Sequence, residues 1–138
     1  MHRETVTIRT KGRGSVSLNE DMRKIVARSS IREGFCHLFL CHTSASLIFC
    51  ENTDSAVLSD LETFAGSLVK DGERLYRHDS EGPDDMAAHI RTVYTHTDLT
   101  IPIDRGRLFF GTWQGVYLWE HRTTGRSRHI LVTCYGPR

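Results

Sequence analysis

The sequence lacks both a long apolar run and an excess of charge of one sign. Its longest apolar stretch, residues 38–50, is interrupted by polar residues at 42–44, and no apolar segment follows a basic start. We therefore expect neither a membrane span nor a secretory signal, and a cytoplasmic location. Lys and Arg number 18 against 17 for Asp and Glu, so no strong field draws the protein to nucleic acid or anionic lipid. These absences favour a small molecule as the partner.

The sequence also contains no paired-cysteine motif and no phosphate-binding P-loop. Four cysteines are present, none of them in a CxxC pair: Cys36, Cys41, Cys50 and Cys134. Three lie in apolar, strand-like stretches, where a reduced cysteine acts as a small apolar side chain, and we interpret the cysteines as core thiols. Cys41 adjoins His42, but neighbours in a strand point to opposite faces, so it is excluded from a metal site that includes His42.

Length and composition predict a single folded domain that spans residues 1–138. The chain is 38% apolar and 25% charged, an ordinary composition for a globular protein. A chain of 138 residues is long enough to bury one substantial core. No repeat, low-complexity tract or linker interrupts it.

The hydrophobic pattern predicts an α+β fold. Period-two alternation and short apolar runs indicate strands, whereas apolar spacings of three and four indicate helices. The predicted elements of the first two thirds are a strand at 4–9, a helix at 18–30 capped by Asn19, two strands within 34–50 buried on both faces, a long helix at 54–70, a loop at 71–85 and a helix at 84–94.

The last third of the chain predicts strands joined by short turns. The strands are expected at 99–103, 107–113, 116–122 and 129–134, with turns at 104–106, 114–115 and 123–125. Because short turns join antiparallel neighbours, we expect a largely antiparallel β-sandwich or partial barrel with two to three helices.

Polar residues interrupt these patterns where chemistry is expected. In a helix that starts near Pro83, Asp85 and His89 stand four residues apart and share one face. If His78 and His42 converge on that face, three neutral imidazoles could hold Zn²⁺ or a similar ion and leave one coordination position open. The spacing alone is no recognised metal motif, and a lone buried histidine is more often a satisfied core residue.

Several motifs in the same order resemble the YjbQ-like family across nearly the whole chain: HTSA, EN, YRHDSEGPDDMAAH, TIPI and GRLFFGTWQGVYLWEHR, followed by Arg128. The resemblance implies an α+β homotrimer with a histidine-lined metal site and, as in some members, secondary thiamine-phosphate synthase activity. It favours His42, His78 and His89 as ligands of a divalent metal, with zinc as the expected ion. The other five histidines are left outside the metal set: His2, His37, His96, His121 and His129.

Five further residues are candidates for catalysis or substrate binding. Glu51 and Asp85 are expected to orient ligands or move protons, and Arg107, Gln114 and Arg122 to bind an anionic substrate. Structural alternatives remain open. Glu51 could cap the following helix, Arg107 could be a solvated charge at a strand end, and Gln114 could satisfy backbone groups in its turn.

The resemblance leads us to expect a metal-dependent cytosolic enzyme that joins a pyrimidine diphosphate to a thiazole phosphate with loss of pyrophosphate. The metal, with Arg107 or Arg122, would stabilise the departing anion. One alternative is a metallohydrolase of a small phosphorylated substrate, in which Glu51 or Asp85 carries the proton. The other is a non-catalytic trimer that binds a metal or ligand.

Overall fold

The computed structural model describes all 138 residues and contains eight strands and three helices. In chain order they are β1 (His2–Arg9), β2 (Gly14–Ser17), α1 (Asn19–Ser29), β3 (Gly34–Leu40), β4 (Ala45–Glu51), α2 (Ser55–Leu68), α3 (Asp85–Val93), β5 (Asp98–Asp104), β6 (Arg107–Leu108), β7 (Gln114–Glu120) and β8 (Ser127–Tyr135). None of the helices has the length and apolarity required to cross a bilayer.

The strands form two antiparallel sheets that enclose the main core. The larger sheet has the order β1-β8-β3-β5-β6 and the smaller one β2-β7-β4. An 18-residue apolar cluster joins them, with members such as Leu38 and Val132 from the larger sheet, Leu47 and Leu118 from the smaller, and Met22 from α1. The predicted α+β fold with antiparallel sheets is therefore confirmed.

The two strands predicted within residues 34–50 exist, but only the second has two buried faces. In β4 the first four residues, Ala45 to Ile48, are all buried, because α2 and α3 cover the side of the smaller sheet that faces away from the core. In β3 the burial alternates, and Phe35 and Phe39 are 43% and 46% exposed on the outer face of the larger sheet. The prediction of two buried faces was therefore wrong for β3.

The last third of the chain departs most from the sequence pattern. The strand expected at 107–113 is only the two-residue β6, and the backbone turns between Gly111 and Gln114 instead of at 114–115. The strands β7 and β8 follow each other through a short loop but belong to different sheets, so proximity in sequence did not make them partners. Strand β2, at the edge of the smaller sheet, was not predicted.

Two side chains also act differently from their predictions. Asn19 does not cap α1. Its Oδ1 instead accepts a hydrogen bond from the backbone N–H of Val116, at 2.9 Å, which ties α1 to β7. Helix α2 is capped by Asp54, which accepts from the N–H of Ala56, so Glu51 has no capping role.

Two of the four cysteines are core thiols. Cys36 and Cys134 lie opposite each other on β3 and β8 and are fully buried. Cys41 is exposed and Cys50 is half-buried. The core prediction therefore holds for the first two and is wrong for Cys41.

His121 is a fully buried polar residue at the end of β7. Its Nε2 lies 2.7 Å from the hydroxyl of Ser46, which also contacts the hydroxyl of Thr95. Burial lowers the pKa of His121 to about 3, and the positive charge of Arg91 acts in the same direction. The imidazole is therefore neutral in the folded protein at ordinary pH.

We expect the folded protein to lose stability as the pH falls below about 6.5, because the unfolded chain then protonates His121 and the folded chain does not. The free energy of unfolding should fall by up to about 1.4 kcal/mol per pH unit from this group. Urea unfolding at several pH values between about 6.5 and 4 measures the slope. His121→Gln should flatten it, whereas His96→Gln, at an exposed site, should not. Equal slopes in the parent and His121→Gln would contradict the prediction.

Candidate metal centre

The loop before α3 and the first turns of α3 bring His78, Asp85 and His89 together. The Nε2 atoms of His78 and His89 lie 2.6 Å and 3.1 Å from the same oxygen, Oδ2 of Asp85. One potential ligand atom from each residue lies within 4.8 Å of the others. Asp85 and His89 thus share a helix face as their spacing predicted, and His78 joins them from the loop.

A backbone carbonyl accepts a hydrogen bond from Nδ1 of His89. Its Nδ1 lies 2.9 Å from the carbonyl oxygen of Thr43, and because a carbonyl only accepts, Nδ1 carries a hydrogen. In a neutral His89 the Nε2 atom would then direct a lone pair at the carboxylate of Asp85. That contact is repulsive unless a positive charge, either a proton on Nε2 or a metal ion, lies between the two groups.

The centre combines a buried carboxylate with accessible imidazoles. Asp85 is 4% exposed, whereas the side chains of His78 and His89 are 39% and 31% exposed. Burial alone would raise the pKa of Asp85, but the hydrogen bond from His78 and the charge of Arg122 lower it overall. The same hydrogen bond to Asp85 raises the pKa of His78. A negative charge is thus held inside while the imidazoles face solvent.

Arg122 binds two carboxylates. Its Nη1 lies 2.6 Å from Oδ1 of Asp85, its Nε lies 2.9 Å from Oδ2 of Asp84, and its Nη2 donates to the carbonyl of Glu81. The side chain is only 11% exposed. Asp84, which the sequence prediction did not single out, also accepts from Thr123. The structure therefore gives Arg122 a positioning role beside Asp84 and Asp85, and its predicted contact with a substrate stays a prediction.

His42 lies beside the cluster and not within it. Its Nε2 accepts a hydrogen bond from the backbone N–H of His129, at 2.8 Å, and the two rings stack. Burial lowers the pKa of His42, as do the charges of Arg128 and His129. His42 and His89 line a common cavity of about 420 Å³. The close group that the structure assembles therefore contains Asp85 in the place predicted for His42.

Glu51, Gln114 and Arg107 lie away from the histidines within one chain. Strand β4 starts near the cluster and ends at Glu51, which is paired with Gln114 about 20 Å further along. The amide oxygen of Gln114 accepts from the N–H of Gly111, which is the structural alternative considered for it. Arg107 lies on β6 in the other sheet and lines a separate cavity of about 560 Å³.

The chain matches the family model described as UPF0047 protein YjbQ-like over residues 4–137. It belongs to the YjbQ-like family. It is 47% identical to UPF0047 protein sll1880 of Synechocystis over 135 residues, which cover 98% of this chain and 92% of that protein. It is 40% identical to UPF0047 protein YjbQ of Escherichia coli O157:H7 over 136 residues, 98% of each chain.

Solved structures share the fold as well. A YjbQ/UPF0047 family protein from Clostridium acetobutylicum superimposes with a TM-score of 0.88 at 26% identity, covering 96% of this chain and 99% of that one. The conserved hypothetical protein TT1486 of Thermus thermophilus gives a TM-score of 0.84 at 30% identity, with the same coverage. The resemblance noted in the motifs therefore extends to the whole fold.

We expect Arg122→Gln to destabilise the protein by about 3–5 kcal/mol, because it leaves the buried carboxylates of Asp84 and Asp85 without their cation. The matched control is Arg74→Gln, at an exposed position in the loop before α3. Its free energy of unfolding should stay within about 0.5 kcal/mol of that of the parent. Urea unfolding measures both. Parental stability of Arg122→Gln would contradict the positioning role.

Proposed function

We propose that His78, Asp85 and His89 hold a divalent metal ion, zinc being the expected one. We further propose that the protein is a cytoplasmic, metal-dependent enzyme acting on a small phosphorylated substrate. One observation carries the proposal. Two imidazole Nε2 atoms converge on one carboxylate oxygen while the other nitrogen of His89 is held by Thr43. A backbone carbonyl on the far nitrogen is a usual means of orienting an imidazole that binds a metal.

The donor set fits a single ion. Ligands around tetrahedral zinc at about 2.0–2.2 Å lie roughly 3.2–3.5 Å apart. The two separations from Oδ2 of Asp85, 2.6 and 3.1 Å, differ from this spacing by about one ångström or less. Three protein ligands would leave one position for substrate or water, and the bound ion would supply positive charge and polarise a phosphate oxygen.

The charge balance explains why such an enzyme would depend on its metal. Glu81, Asp84 and Asp85 surround the centre, and Arg122 is the one cation bound to them. With neutral imidazoles the group is net negative and repels a phosphate. Arg122 is already paired with these carboxylates, and Arg74 lines a cavity with His78 on the loop side of the centre.

For the reaction we favour the synthase implied by the family resemblance, in which a pyrimidine diphosphate is joined to a thiazole phosphate with release of pyrophosphate. The 420 Å³ cavity shared by His42 and His89 adjoins the centre and is of a size that holds a small substrate. A metallohydrolase is the second candidate. It is favoured by the solvent exposure of His78 and by the carboxylate of Glu81, which lies 3.2 Å from its Nε2 and could accept a proton from water.

We also propose that the protein is a homotrimer in which a second copy completes the site. Glu51, Arg107 and Gln114 are separated from the histidines within one chain, so any part they take in the reaction requires a neighbouring subunit. Cyclic oligomers bring different surfaces of identical chains together at each interface, and a small domain can complete a pocket in this way.

We expect the purified protein to bind one zinc ion per chain and His78→Ala and His89→Ala to weaken binding by more than about 100-fold, since each removes a ligand. Competition with a chromogenic chelator measures the affinity. His42→Ala distinguishes the set of three histidines from the set that contains Asp85. We expect this variant to retain the ion. Loss of zinc in His42→Ala would instead support the set of three histidines, and unchanged affinity in His78→Ala and His89→Ala would rule out this centre.

We expect His89→Ala and Arg107→Ala to be inactive alone and active together. If one copy supplies His89 and the next supplies Arg107, random exchange of equal amounts leaves intact sites at about a quarter of the interfaces. Thiamine phosphate formation at a fixed zinc concentration should therefore return to about a quarter of the parental rate. Hydrolysis of phosphate esters is followed in parallel.

Each variant taken through the exchange step alone is the control and should stay inactive. An active Arg107→Ala variant, or no recovery on mixing, would contradict the shared site. Recovery of hydrolysis without synthesis would favour the metallohydrolase. A parent protein that performs neither reaction would contradict both enzymatic proposals and leave a metal-binding trimer.

A further inference from the structure

Glu120 and Arg128 form an ion pair in the interior, at the end of β7 and the start of β8. Their side chains are 0% and 3% exposed. The Nε of Arg128 lies 2.8 Å from Oε1 of Glu120, and Thr10 donates to the same oxygen at 2.7 Å. Burial alone would raise the pKa of Glu120, but the hydrogen bonds from Arg128 and Thr10 lower it, so the carboxylate is charged.

One arm of this pair reaches the loop behind His89. The Nη2 of Arg128 donates to the carbonyl and the hydroxyl of Ser44, at 3.1 Å and 2.9 Å. Ser44 directly follows Thr43, whose carbonyl accepts from Nδ1 of His89. A shift of Ser44 would move the carbonyl of Thr43. The hydrogen bond from Nδ1 of His89 to that carbonyl, which keeps Nε2 directed at Asp85, would then be lost.

The other arm reaches Asp85. Oε2 of Glu120 accepts from the backbone N–H of Arg122, at 3.1 Å. The guanidinium of Arg122 in turn holds Oδ1 of Asp85 and leaves Oδ2 to the two imidazoles. The ion pair is therefore connected to two of the three residues of the cluster through one intermediate residue or loop on each side.

We propose that Glu120 and Arg128 are positioning residues that hold the Thr43 carbonyl against Nδ1 of His89 and set the orientation of Asp85. The importance of this role rests on the proposed metal function, but the positioning itself is a property of the metal-free chain. Stability alone does not require the pair, because apolar residues of similar volume often replace a buried ion pair without loss. Apolar residues could not hold Ser44 or the N–H of Arg122.

The test variant is Arg128→Lys, which keeps the positive charge beside Glu120. A lysine ammonium lacks the planar fork of arginine and cannot bind both Glu120 oxygens and both Ser44 oxygens. Long-range ¹H–¹⁵N NMR of the metal-free protein reports whether Nδ1 of His89 carries a hydrogen. The parent should show hydrogen on Nδ1, and Arg128→Lys should show a mixture.

Zinc affinity is the second readout and should fall by about 10–100-fold in Arg128→Lys, as expected when the support of a ligand is lost. Thr10→Val is the matched control, since it removes a hydrogen bond to Glu120 and leaves both arms intact. It should keep the parental tautomer and affinity. If Arg128→Lys fails to fold, the apolar double variant Glu120→Leu, Arg128→Met takes its place.

A folded variant with the parental tautomer and affinity would overturn the positioning role. Loss of the Nδ1 hydrogen of His89 in Thr10→Val as well would also overturn the positioning role. A general disturbance of the core would then be sufficient to cause the change. Failure of the parent to bind zinc would contradict the metal function alone, and the tautomer would still decide the role of Glu120 and Arg128.

Discussion

The carboxylate of Asp85 is almost completely buried and remains charged, and the arrangement of the centre depends on how that charge is compensated. Arg122 binds Oδ1, while His78 and His89 approach Oδ2. A buried carboxylate without such partners would cost several kcal/mol, so each contact is constrained by the others. The carboxylate thereby aligns the helix α3, the loop before it and the end of β7 around one point.

The two-sheet architecture explains why these elements meet. The chain leaves the larger sheet at the end of β3, crosses at residues 41–44 and enters the smaller sheet as β4. The crossing places the carbonyl of Thr43 against His89 and the ring of His42 against β8. A polar segment at this position would be unusual within a continuous strand, but it suits a connection whose backbone groups must find partners outside a sheet.

The charges around the centre favour the binding of a cation over the binding of an anion. Three carboxylates and one guanidinium leave a net negative charge, and the exposed faces of the imidazoles provide the open side. An added positive charge would offset this negative charge. Arg107, Glu51 and Gln114 lie apart from this charge within one chain.

The sequence by itself determined the local features. Helical periodicity predicted α3 and hence the shared face of Asp85 and His89, and alternating apolar residues predicted most of the strands. Those patterns arise from contacts within a few residues, which a single sequence displays directly. His78 lies in a loop without periodicity, so from the residues alone its place at the site was one possibility, which the family motifs favoured.

Only the tertiary structure decided which distant groups meet. Arg122 reaches Asp85 across 37 residues, and the N–H of His129 occupies Nε2 of His42 across 87 residues. Neither contact leaves a periodic signal, so neither could be predicted from the sequence. For the same reason, the sequence pattern did not show that β7 and β8, which are adjacent in sequence, belong to different sheets. The partner of a strand or a charge is selected by the packing of the whole core, since burial energy depends on all the surfaces that come together.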